Sequence, residues 1–355
     1  MAYTTIDNPG LYFNTVIYAG SNSDQSITGV GFQPDWVWIK NRSSTPDHML
    51  NDAVRGAGKQ INSNTTTAEL DRTYFMSFDS DGFTLDGNVS DYNQNSSNFV
   101  GWSWKAGTTG SGSTGGSGTS KSYTYSANTT AGFSITRYTG NGTSGHTIPH
   151  NLGVTPQMII IKSTELTQNW SIYHHKLNSG TNPEVKYLEL NSTNAQLDSA
   201  SIFNDAPPTS SHFVLGNSDA VNTSNGVNIA YCFAEKKGYS RFGTYTGNGN
   251  ADGTFVYTGF RPAWIMSKSS SNTESWIMKD ATRDPLNPAD TNLAANSANS
   301  ESTWGTEYDI DILSNGFKMR DTAGQTNGNG YSFIYMAFAE HPFVTTGTKA
   351  AGTAR

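Results

Sequence analysis

Two pairs of residues, Asp52 with Arg55 and Asp280 with Arg283, combine the side-chain types and the spacing that could do chemistry. A carboxylate and a guanidinium three residues apart can meet across one turn as an ion pair. Such a pair serves either as a structural brace or as a ligand contact. A third stretch carries His174 and Leu177 at the matching place. The pair is therefore dispensable there, which favours the brace. His146 and His150 have the i, i+4 spacing of a helical zinc pair, but Pro149 and strand-like surroundings remove the helix that would align them. His174 and His175 would point to opposite faces of a strand. Asp79-Ser-Asp81-Gly82 opens like a calcium loop, yet the later alternating oxygens and the closing Glu are missing, so it reads as a turn. No metal and no cofactor is expected.

The chain has no G-x-S-x-G, no Cys/His nucleophile arrangement and no H-E-x-x-H. Carboxylates far apart in sequence could still converge on a glycosidic bond, which leaves a polysaccharide depolymerase as the last of three readings. The repeated residues described below look like scaffold, and the sequence predicts a protein that is not an enzyme. For binding, aromatic faces can stack on pyranose rings while amides bond hydroxyls. Tyr138, Asn141, Tyr245 and Asn248, with Trp170 and Trp276, are the candidates. Each suits core packing or a turn equally well.

The elements that must position these residues come in three similar stretches. Tyr18-Ala-Gly, Tyr138-Thr-Gly-Asn-Gly and Tyr245-Thr-Gly-Asn-Gly begin them, and Pro34 to Lys40, Pro156 to Lys162 and Pro262 to Lys268 follow. Then come Asp52, His174 and Asp280; Ile61-x-x-Asn64, Leu188-x-x-Asn191 and Leu293-x-x-Asn296; and Phe83, Phe213 and Phe317. Each stretch closes on Val100-Gly-Trp-Ser-Trp104, Ile229-Ala-Tyr-Cys-Phe233 or Ile334-Tyr-Met-Ala-Phe338. The organisation expected is unit one at 1–106, a Gly/Ser linker at 107–121, unit two at 122–238, unit three at 239–343 and a tail at 344–355. Units of about 100 residues are long enough to close their own small cores, with packing around a pseudo-threefold axis as one arrangement. The linker GTTGSGSTGGSGTS should be flexible coil. Its formal G-x-G-x-x-G, Gly110 to Gly115, lacks the strand–turn–helix context of a nucleotide site.

Within a unit, short β-branched and aromatic runs sit between Gly, Asn, Asp, Ser and Pro. Val227 to Phe233 alternates large and small residues, as a strand with two different faces does. Trp36–Ile39 and Met158–Ile161 lack alternation and read as central strands buried on both sides. Asn141-Gly142, Asp81-Gly82 and Asn315-Gly316 suit hairpin turns. Asn64–Arg72 is the best candidate for a short helix. The fold class expected is all-β, each unit a β-sandwich or jelly roll.

Composition narrows the partners. Only 14% of residues are charged, but 12% are aromatic, enough to build cores. The net charge of −7 and 22 scattered Lys and Arg give no basic stripe for phosphates, so no nucleic-acid partner is expected. Apolar runs such as Met158–Ile161 are too short to cross a bilayer, so no membrane insertion is expected. Met1–Tyr18 lacks the pattern of a signal peptide, which points to synthesis in a cytoplasm. Without such a signal the Asn-x-Ser/Thr triplets at Asn41, Asn64, Asn88, Asn141 and Asn191 imply no glycosylation. The single Cys232 excludes an intrachain disulfide and reads as a small strand residue.

Phe32-Gln-Pro-Asp-Trp-Val-Trp-Ile-Lys-Asn-Arg42, Phe242-Gly-Thr-Tyr-Thr-Gly-Asn-Gly249, Gly259-Phe-Arg-Pro-Ala-Trp264 and Tyr335-Met-Ala-Phe-Ala-Glu340 resemble a repeat family common in tailed phages, notably those of marine cyanobacteria. The resemblance covers nearly all of Tyr3–Phe343. It implies a virion structural protein with concanavalin-like β-sandwich character, of the tail-fibre, capsid-fibre or decoration kind, and it carries no catalytic residues to transfer. Unit one begins almost at the first residue, which favours a compact head or tail appendage over a long fibre. The partners expected are other virion proteins, further copies of the chain and host-surface polysaccharide. The location expected is the virion, assembled in the host cytoplasm, and a glycan-binding adhesin of the tail is the alternative.

Overall fold

Three runs of buried β-branched and aromatic residues, each between turn formers, make the central strands Trp36–Asn41, Met158–Ser163 and Phe260–Ser269. The computed structural model describes residues 4–87, 89–302, 307–345 and 351. Asn88 of one Asn-x-Ser triplet and most of the 344–355 tail lie outside them. The chain is all-β, and among the described residues no helical segment exceeds four residues.

One strand order recurs in three stretches. A first strand (Phe13–Ala19, Phe133–Thr139, Ser240–Thr246) pairs with a closing strand (Asn98–Trp104, Val227–Phe233, Ser332–Pro342). The closing strand pairs with the central strand, and that with a fourth (Met49–Asp52, Ser171–His174, Ile277–Asp280). All these pairings are antiparallel. A smaller sheet lies over each large one, containing Gln25–Thr28 with Gly82–Leu85, His146–Pro149 with His212–Leu215, or Phe255–Tyr257 with Gly316–Met319. The arrangement is sandwich-like.

The alternation in Val227–Phe233 now has a physical meaning. Ile229, Tyr231 and Phe233 face one core, while Ala230 and Cys232 face another. Trp36 and Trp38 face the first core, and Val37 and Ile39 a separate one. Each stretch thus has a private core between its own two sheets. The outer faces of all three large sheets meet in one shared core that joins Phe13, Trp36, Trp104, Phe133, Tyr231, Phe233, Trp264 and Phe338. Trp36 stacks on Tyr231 at 4.5 Å, Phe13 on Phe338 at 5.1 Å, and Phe233 meets Phe338 at 6.1 Å. Seven of the 8 tryptophans (Trp36, Trp38, Trp102, Trp104, Trp170, Trp264 and Trp276) are fully buried, and Trp304 lies outside the described residues. A buried Trp removes about 150–250 Å² from water, so truncating one costs about 3–5 kcal/mol.

Three expectations are corrected. The Gly/Ser segment is not coil: Thr108–Ser113 pairs along its length with Ser122–Asn128. Tyr125 and Tyr123 lie across Gly110 and Gly112, where a Cβ would come within 2.7 and 2.8 Å of the rings. Glycine here makes room for cross-strand tyrosines. Asn64–Arg72 forms no helix; it runs extended to a two-residue strand, Leu70–Asp71, because its backbone bonds the neighbouring stretch. Asn141-Gly142 closes no hairpin and instead leads from one sheet to the other. At Asp81-Gly82 and Asn315-Gly316 there are tight turns, with Asp79 opposite Gly82 and Leu313 opposite Gly316.

Candidate functional site

Most of the residues with chemical potential hold the scaffold. Arg55 Nε reaches Asp52 Oδ2 at 2.5 Å, and Arg283 Nε reaches Asp280 Oδ2 at the same distance. All four side chains are closed off from solvent. Burial alone would lower the two guanidinium pKa values, but the adjacent carboxylates outweigh it and raise them. The remaining acceptor sites are filled across the boundaries between stretches. Tyr231 OH donates to Asp52 Oδ2 at 2.8 Å, and Trp102 Nε1 donates to Asp280 Oδ2 at 3.1 Å. In the third case the donor position holds Met336, which cannot donate, and the acceptor position holds His174, whose Nε2 lies 3.2 Å from Tyr335 O.

A second set of bonds repeats the pattern. Four residues before Asp52, His174 and Asp280 stand His48, Trp170 and Trp276. Each ring nitrogen faces a carbonyl of another stretch: His48 Nε2 to Ser297 O at 3.1 Å, Trp170 Nε1 to Asn62 O and Trp276 Nε1 to Glu189 O at 2.9 Å. Trp38 Nε1 donates to His48 Nδ1, so the imidazole is neutral with its proton on Nε2. Burial holds His48 and His174 well below the usual histidine range. Backbone segments cross as well, through Glu69 to Thr164, Gln196 to Ser270 and Glu301 to Arg42. The contacts run first to second, second to third and third to first, closing a ring.

The residues singled out for sugar binding divide accordingly. Tyr138 and Tyr245 are buried, their hydroxyls donating to Val221 O and Thr326 O at 2.7 Å. Trp170 and Trp276 are the boundary braces just described. None of these four rings offers a face to a ligand. Asn141 and Asn248 lie in the loops after the first strands; the Asn141 amide donates to Ser117 O of the Gly/Ser segment, and the Asn248 amide to Asp252 O of its own loop. Sequence reasoning missed the buried Asn93, Asn222 and Asn327, which clamp these loops by accepting from the N–H of Ser21, Asn141 and Asn248. Their equal place before each closing strand was the available signal. His146 is held by Asn222 and Thr114, and His150 by Thr209 O. Asp79 accepts from Ser77 and Thr84, and Asp81 from the N–H of Gly29 and Gly31.

One accessible place differs. The turn after the second stretch's fourth strand, His175-Lys176, lies against the first strand of the third stretch, forming an open notch of about 330 Å³. His175 Nε2 bonds Phe242 O at 2.7 Å, and Arg241 pairs with Glu235 at 2.7 Å. Tyr335 lines the floor, its pKa pushed up to about 12 by burial. Phe255 and Tyr257, 45% and 52% exposed, stand on the rim. Sequence reasoning missed both rings, because nothing local separates an exposed Phe-x-Tyr strand from a buried one.

A family described as a domain of unknown function (DUF7483) matches residues 8–342. No curated protein and no solved structure matches the chain.

Proposed function

The chain belongs to the DUF7483 family, and we propose that it is a non-enzymatic structural protein on the surface of a tailed-phage particle, as a head decoration or a tail appendage. What supports this reading most is where the motif residues behind the phage resemblance lie. Trp36, Trp38, Lys40, Trp264 and Phe338 are all buried. These family-like residues are part of the packed scaffold, as the reading expects of a structural protein. Lys40 illustrates the point: its ammonium donates to the carbonyls of Asn41, Pro46 and Ala298 and so ties the first stretch to the third. A body joined on all three sides by buried bonds suits a component that must stay folded outside a cell. Multiple copies on a symmetric particle, beside other virion proteins, are part of the proposal. Mass spectrometry of gradient-purified particles tests it. Recovery of the chain at structural stoichiometry is expected, and its absence from particles that contain the other virion proteins would overturn the reading.

A second reading, an adhesin that contacts host-surface glycan, is favoured by one observation. The exposed Phe255 and Tyr257 flank a notch that holds polar and charged groups.

A further inference from the structure

We infer that the notch between the second and third stretches is a binding site for an oligosaccharide carrying carboxylate groups. In three places a turn after a fourth strand meets a strand of the next stretch, the first strand in two of them and the added strand Ser122–Asn128 in the other. Ala53 and Val54 lie beside Tyr125 and Ser126, Ala281 and Thr282 beside Phe13 and Asn14, and His175 and Lys176 beside Arg241 and Thr244. Some scaffold residues are the same in every stretch, as the buried Lys40, Lys162 and Lys268 are, whereas this notch departs from the other two places at several positions together.

Strand register fixes the comparisons. Arg241 stands where the other stretches have Asn14 and Ser134, and Tyr335 where they have Gly101 and Ala230. Phe255 and Tyr257 replace Ser26 and Thr28 in the first stretch, and Thr147 and Pro149 in the second. Gly243 completes the change. A Cβ there would lie 2.5 Å from the Tyr335 hydroxyl, so the glycine lets the phenol reach the notch.

The ligand class follows from the chemistry of this set. Phe255 and Tyr257 are alternate residues of one strand, on the same face and about 7 Å apart along it. Exposed rings so spaced suit the apolar faces of successive sugars. The notch has two cations, Lys176 and Arg241, against one carboxylate, Glu235. Among the described residues no acidic side chain pairs with Lys176. Burial lowers the His175 pKa, which leaves that ring neutral. The local excess is positive in a chain of net charge −7, which favours an anionic ligand at this place. An added peptide strand fits less well, because the outward N–H and C=O of Phe242 are already taken by Glu235 and His175.

The inference rests on the adhesive reading but is tested on the isolated chain, so it can fail while the particle assignment stands. The full chain is applied to an array of uronate-containing and neutral oligosaccharides and of extended peptides, and the best binder is titrated by calorimetry. Binding is expected among the uronate-containing members. It should weaken at least roughly tenfold in the Phe255→Ala/Tyr257→Ala double variant, the loss of about 1.4 kcal/mol that removing stacking rings implies. It should weaken several-fold in Lys176→Gln and on raising NaCl to about 0.5 M. All three replaced residues are at least partly exposed, and the variants should melt with the parent chain. Binding to no saccharide, to neutral saccharides alone or to peptides alone would overturn the inference, as would undiminished binding by the folded double variant.

Discussion

Asp52 and Asp280 each accept from an aromatic donor in another stretch, and His174 occupies the same place where the donor is replaced by Met336. Such matched exchanges mark positions where a lost partner leaves a buried polar group short of a hydrogen bond. Asp280→Asn should therefore lower the unfolding free energy by about 3 kcal/mol, read from urea denaturation, because Arg283 loses the carboxylate at its Nε and keeps only Glu301 as a charged partner. The histidines set the acid limit. His48 and His174 are neutral when folded, with pKa values well below the usual range, and regain ordinary values near 6.5 on unfolding. Below about pH 6.5 the unfolded chain takes up protons that the folded one refuses. Stability is thus present above that pH and is lost as pH falls, by up to about 1.4 kcal/mol per pH unit for each histidine. Urea midpoints between pH 7.5 and 5.5 should show this fall, and His48→Gln/His174→Gln should be flatter. At this scale the sequence was half legible. The Asp/His/Asp series was visible, but its partners are Tyr231, Trp102 and a backbone carbonyl more than a hundred residues away, which no local pattern marks.

Among the elements, those whose residues carry their own reason for being strands were legible. Trp36–Ile39 and Met158–Ile161 have no polar face, and both are buried on two sides. The segment from Thr108 to Ser113 was not, because its strand character resides in Tyr123 and Tyr125 across the ladder rather than in its own glycines. Its alternate backbone amides should exchange slowly with deuterium, unlike those of a flexible linker. Gly110→Val with Gly112→Val should destabilise the chain by about 1–3 kcal/mol, because the rings must swing off the strand; the same urea titration reads it. Asn64–Arg72 misled for the converse reason. Its polar residues allow a helix, but Glu69 N is used by Thr164 O of the next stretch.

At the scale of the molecule, the all-β character was legible and the way the stretches join was not. Units of this length could each have stood alone on a private core. Instead the three large sheets turn their Trp- and Phe-rich faces inward to one shared core, and the ring of boundary bonds closes it. Removing any one stretch would expose the rings of the other two, so no stretch is expected to fold by itself. Differential scanning calorimetry of the full chain tests this most directly. One transition is expected, with the calorimetric enthalpy equal to the van't Hoff enthalpy. Separate transitions, or a calorimetric enthalpy near three times the van't Hoff value, would mean three independent bodies and would contradict the shared core.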